Sequence, residues 1–168
     1  DLITSHWDPR EAEGFTEPRY ETDPDWHVVE SAPLHPRRVT HAVLQSADVA
    51  RLVDFYTGIG GLHVAAEDAG VVWLAAAHPG YEHNLVIVPG EAPAYLHAAF
   101  ELDDEAALAA AETALAGAGV TVEACADLPW KRSLFLRDPD GLASEWYVRR
   151  AAPRDIAARG SVPLALAV

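Results

Sequence analysis

The amino-acid sequence predicts an α+β fold in which two βαβββ modules form a concave mixed-sheet cup, with an irregular N-terminal arm in front of it. Two observations carry this reading. A strand, a helix and three further strands are expected twice between residues 38 and 148. The two copies register at one offset: His41 with His97, Asp48 with Asp104, Leu52 with Leu108 and Ile59 with Leu115 each stand 56 positions apart. Each module alone would leave the apolar face of a curved four-stranded sheet in water, whereas pairing the two sets the helices outside and leaves a cup. The expected organisation is an arm over residues 1–37, a domain over 38–148 built from modules 38–88 and 94–148, and a tail over 149–168.

The arm holds Pro9, Pro18, Pro24, Pro33 and Pro36 among many acids, a density that breaks helices and central strands. Trp7, Phe15, Tyr20 and Trp26 are unusual in a disordered tail, so the arm is expected to pack on the body or on a neighbouring chain, with a homodimer as one arrangement. Residues 38–45 alternate as a strand. Ser46 or Asp48 can cap a helix whose Val49, Leu52, Val53 and Tyr56 share one face, and Gly58, Gly60 and Gly61 end it. Strands are expected over 62–66, 71–77 and 83–88, with turns at 67–70 and 78–80. After a linker at 89–93 the order recurs. A strand spans 95–102, and Asp103 or Asp104 caps a helix that faces inward through Leu108, Ala111 and Leu115. Gly117 and Gly119 end it, and strands follow at 120–124, 133–137 and 142–148. The Ala-rich tail is expected to serve packing or an interface.

Apolar residues at 50% and charged residues at 23% of 168 suit one soluble domain with a full core. No run is long and apolar enough to cross a bilayer, and no signal-peptide pattern opens the chain. Cys125 is the sole cysteine, which excludes an internal disulfide and is compatible with a cytoplasmic location. A formal net charge of −14 argues against nucleic acid and against an anionic membrane surface. Within so acidic a chain the adjacent pairs Lys131/Arg132 and Arg149/Arg150 are candidate places where a negatively charged substrate group could be met.

The chemistry concentrates on four residues. His41 in the first strand of module one and His97 at the matching point of module two fall on one face with Val43 and Ala99 as small neighbours. Glu145 interrupts an otherwise apolar strand, where a carboxylate needs a partner or a metal. A lone strand histidine is more often a core or surface residue than a ligand. The shared offset is what raises this pair above that baseline. Two imidazoles and one carboxylate leave coordination positions open, as suits a non-haem Fe(II) that must also take substrate and dioxygen. His83, expected to begin the last strand of module one roughly where Glu145 falls in module two, can be read as a ligand or as an acid–base residue beside the metal. His6, His27, His35, His63 and His78 lie in the arm or near turns and are expected to be non-functional.

The segments VTHAVLQSADVARLVDFYTGIGGL, YLHAAFELDD and SLFLRDPDGLASEWYV resemble the vicinal oxygen chelate superfamily over residues 38–148, the turn at Asp138, Pro139, Asp140 and Gly141 before the acidic strand being the most specific part. Within it the chain is similar to the type I extradiol dioxygenases. That resemblance implies Fe(II) held by His41, His97 and Glu145, with His83 as the acid–base residue in ring cleavage of a small aromatic diol by O2. The family's tyrosine ten residues before the glutamate is here Phe135, which with Val43 would line the substrate. The size of the chain resembles the compact actinomycete dioxygenases that open L-3,4-dihydroxyphenylalanine (L-DOPA) in natural-product (antibiotic) biosynthesis, and Lys131 or Arg132 would then meet the substrate carboxylate. The alternatives are a fosfomycin-type thiol transferase, against which Val43 stands in place of that family's threonine, glyoxalase or epimerase chemistry with four ligands, and a metal-free antibiotic-binding protein.

Overall fold

A computed structural model describes residue 32 and residues 34–77 and 82–150. The arm with Trp7, Phe15, Tyr20 and Trp26, the turn expected at 78–80 and the tail from residue 151 lie outside the described residues. The described part is the expected α+β architecture: β1 (Arg38–Ser46), α1 (Val49–Gly58), β2 (His63–Asp68), β3 (Val71–Ala75), β4 (Leu85–Pro89), β5 (Ala94–Glu101), α2 (Glu105–Gly117), β6 (Ala124–Leu128), β7 (Lys131–Arg137) and β8 (Ala143–Arg149). Among the described residues no helix is long and apolar enough to cross a membrane.

The eight strands form one sheet in the order β2-β3-β4-β1-β5-β8-β7-β6. Each module keeps its own half, with its first strand parallel to its last. The halves join within the chain along the antiparallel pair β1 and β5. His41 lies opposite Ala99 and Val43 opposite His97, so the pairing exchanges with itself under the 56-residue offset and a local two-fold axis runs through the seam.

Both helices cover one face of the sheet. Asp48 caps α1 by accepting from the Arg51 amide, and Asp104 caps α2 by accepting from Ala107. Ser46, the other candidate for α1, instead accepts from the Asp48 amide and holds the capping residue. Leu52, Val53 and Tyr56 of α1 pack on Val72, Leu74, Leu85 and Ile87. Leu108, Ala111 and Leu115 of α2 pack on Leu134, Leu136 and Val148. The opposite face carries an apolar patch in module one, Val43, Val71, Trp73, Val86 and Val88, and polar side chains across the seam and module two.

Several strand boundaries differ from expectation. The strand expected at 120–124 is β6, Ala124–Leu128, because Val122 packs against the α2 core without joining a ladder and pairing with β7 begins at Ala124 opposite Phe135. β3 ends at Ala75, where the Asn84 side chain takes the Ala76 amide. His83 therefore precedes β4 and does not begin it. Module two starts its third strand at Lys131, two residues earlier than expected, which determines where Lys131 points.

Candidate metal centre

The donor residues come from three adjacent strands on the helix-free face. His41 on β1 and Glu145 on β8 flank Ala99 of β5 in register, and His97 lies two residues along β5. Ala99 is fully buried, and its single methyl group sits in the row between the two larger side chains. His41, His97 and Glu145 are themselves buried. One donor atom from each lies within 4.8 Å of the others. Glu145 Oε2 is 3.4 Å from His97 Nε2 and 3.6 Å from His41 Nε2. These gaps exceed a charge-assisted hydrogen bond of about 2.7–2.9 Å. Donors about 2.1 Å from one divalent ion stand roughly 3.0–3.5 Å apart at octahedral to tetrahedral angles.

Glu145 uses its two oxygens differently. Oε1 accepts from Lys131 Nζ at 2.6 Å and from Ser133 Oγ at 2.5 Å, while buried Oε2 makes no hydrogen bond of ordinary length. Burial pushes the carboxyl pKa up. The Lys131 ammonium and the adjacent His97 and His41 imidazoles outweigh it and hold the group far below the usual carboxylate range. The fully buried side chain is thus an anion with one oxygen committed and one turned toward two imidazoles.

His41 is steadied from behind. Its Nδ1 lies 3.0 Å from Thr40 Oγ1, which also lies 3.2 Å from the Ala99 carbonyl and receives the Tyr147 hydroxyl at 3.3 Å. Burial, and then the carboxylates of Glu101 and Glu145, raise the Tyr147 pKa against the bond to Thr40, so the phenol stays protonated and can donate. Thr40 reaches this position through a bulge: Val39 pairs with Phe100 and His41 with Ala99, leaving Thr40 as the extra residue.

His83 is buried with its ring centroid 4.5 Å from that of His41, beside the donor group and outside it. It is not the counterpart of Glu145. The parallel ladders set Val86 beside Val43 as they set Glu145 beside Ala99, so module one offers a valine where module two offers the carboxylate. Phe135 and His97 meet in a T-shaped contact with ring centroids 5.3 Å apart, and Val43 is buried in the apolar patch.

Lys131 and Arg132, expected to meet a substrate carboxylate, both have partners within the chain. Lys131 is buried and bonded to Glu145. Arg132, the next residue on the strand, faces α2 and pairs with Glu112 and Glu105. Arg149 pairs with Glu82, and Arg150 with Glu105 and Asp127. Ser133, Thr40 and Tyr147 escaped the sequence reading. Ser133 shares strand parity with Phe135 and was accessible to it, whereas Thr40 becomes a neighbour of the His41 ring only through the bulge.

Residues 38–145 match the model of the Glyoxalase/Bleomycin resistance protein/Dioxygenase superfamily. The chain belongs to this superfamily. No curated protein matches it significantly by sequence. Among solved structures of the superfamily, the chain is similar to homoprotocatechuate 2,3-dioxygenase, a type I extradiol dioxygenase. The Brevibacterium fuscum enzyme, in its anaerobic complex with 3,4-dihydroxyphenylacetate, is 25% identical with a TM-score of 0.61, covering 73% of this chain and 40% of that one. The Arthrobacter globiformis enzyme is 26% identical with a TM-score of 0.61, covering 70% and 37%. The chain therefore spans about two fifths of the length of these relatives.

Proposed function

We propose that the chain is an Fe(II)-dependent extradiol dioxygenase that opens the ring of a small catechol with O2, L-DOPA being the first substrate to test, in a natural-product pathway of the cytoplasm. The observation that carries this reading is the convergence of one donor atom each from buried His41, His97 and Glu145 within 4.8 Å, with Glu145 Oε2 near the Nε2 of both histidines. A buried carboxylate oxygen without a hydrogen bond, facing an imidazole nitrogen at 3.4 Å, is costly alone and fits a shared cation. Three protein ligands, with Val86 where a fourth would stand, leave positions for a diol and dioxygen and disfavour four-ligand glyoxalase chemistry. The similarity to homoprotocatechuate 2,3-dioxygenase supports iron and a catechol over the thiol-transferase alternative.

Bound iron would supply a Lewis acid that makes a coordinated hydroxyl more acidic and a route for electrons between ring and dioxygen. The chain's own residues do the rest. Glu145, tied at Oε1 by Lys131 and Ser133, offers a single oriented oxygen. His83, beside His41, takes the proton of the second hydroxyl and returns it as the ring opens. Phe135 and Val43 give the aromatic ring apolar walls. Lys131 is not proposed as a carboxylate receptor, since its ammonium is already engaged.

Oxygen uptake by iron-loaded protein with L-DOPA, dopamine, catechol and 3,4-dihydroxyphenylacetate tests the reading. Uptake with a yellow ring-opened product is expected. His83→Ala should retain iron and lose on the order of 10²–10⁴ in rate. No uptake with any of the four sinks extradiol cleavage. One observation favours a second reading: Lys131 already gives Glu145 a positive partner at 2.6 Å, as a metal-free binding protein would require. Metal content separates the two.

A further inference from the structure

We propose that Thr40 is a positioning residue that fixes the tautomer of His41, so that Nε2 presents a lone pair to the metal site. The inference rests on the metal-binding reading for its purpose, while its geometry stands independently. The Thr40 hydroxyl has one proton and two acceptor sites. Among the described residues three groups bond with it: the Ala99 carbonyl at 3.2 Å, which can only accept, the Tyr147 hydroxyl at 3.3 Å, and His41 Nδ1 at 3.0 Å. The single proton goes to Ala99. The oxygen is then an acceptor for the other two, and His41 Nδ1 must carry a proton to use it. A neutral imidazole protonated at Nδ1 has its lone pair on Nε2, the nitrogen 3.6 Å from Glu145 Oε2 and within the three-donor group.

The opposite polarity is self-defeating. If Thr40 gave its proton to His41 Nδ1, the Ala99 carbonyl would lose this donor, and Nε2 would carry the hydrogen and be closed to a metal. The Tyr147 hydroxyl reinforces the productive choice by occupying the second acceptor site of Thr40. Thr40 and Tyr147 are buried, which shields the arrangement from competing water. The bulge between Val39 and His41 is what makes this reachable. In a regular strand Thr40 would point to the opposite face from the His41 ring, so the extra residue has a use beyond bending β1.

The test has two arms. In metal-free wild-type protein, ring nitrogen chemical shifts should show His41 protonated at Nδ1, and a ring protonated at Nε2 overturns the inference without any variant. Co(II) affinity, measured against a competing chelator, should fall about 10–100-fold in the near-isosteric Thr40→Val, the range for losing the partner of a ligand histidine. Thr40→Ser should recover most of it. Thr40→Val binding as tightly as wild type overturns the inference alone, as does Thr40→Ser binding as weakly as Thr40→Val. A wild-type chain that takes up no Co(II) while His41 is protonated at Nδ1 overturns the metal reading and with it the purpose assigned to Thr40.

Discussion

At the scale of single residues, the buried pair Lys131 and Glu145 has the largest energetic stake. Glu145 stood out in the sequence because a carboxylate interrupts an apolar strand. The role of Lys131 did not, since β7 was expected to begin at residue 133 and a lysine just before a strand reads as a surface charge. With the strand starting at Lys131, the ammonium alternates onto the same face as Ser133 and Phe135 and meets Glu145. The sign of the pH effect follows from the lowered Glu145 pKa. The stability contributed by its ionised form is complete above the unfolded-state value near 4.5 and is lost as pH falls toward the lower folded-state value. In metal-free protein at neutral pH, Lys131→Met should cost about 3–5 kcal/mol, because it leaves a buried anion without its counter-charge. The deficit should shrink below about pH 4 as the carboxyl protonates. Denaturant midpoints across pH measure this, and a deficit independent of pH would contradict the pairing.

At the scale of elements, both helices were legible because cap, apolar face and stop coincided. Asp48 and Asp104 were among the caps expected. The strand that failed, β6, failed for a visible reason: Val120 and Val122 alternate like a strand, yet Val122 packs on the α2 core and Val120 is exposed. The bulge at Thr40 left no mark in composition. The β2–β3 hairpin turns on Ala69 and Gly70, whose φ angles are 48° and 80°. Positive φ at both central residues is the geometry that favours Asn-Gly, and alanine bears a cost there. Ala69→Asn should therefore stabilise the fold by up to about 1 kcal/mol, read as a higher unfolding midpoint, with activity unchanged because the turn contributes no donor. A lower midpoint would contradict the turn geometry.

For the molecule as a whole, the duplication was legible from one offset and the manner of joining was not. Nothing in the alternation of β1 or β5 says that they pair with each other within a chain, yet that pairing brings His41 and His97 to one seam. The symmetry is then broken at the donor set. Val86 of module one matches Glu145 of module two, because module two carries three more residues than module one between its first and last strands. His83, expected roughly at the place of Glu145, lies three residues before Val86 and ahead of β4. One carboxylate, two histidines and an apolar wall make a half-open site, which is the premise of the proposed chemistry. The direct test is metal stoichiometry. The full chain, loaded anaerobically with Fe(II) and desalted, should retain one iron per chain, and His41→Ala, His97→Ala and Glu145→Ala should retain none. A wild-type chain that emerges metal-free from excess Fe(II), Mn(II) and Zn(II), with Lys131 as the standing partner of Glu145, would contradict the metal centre itself.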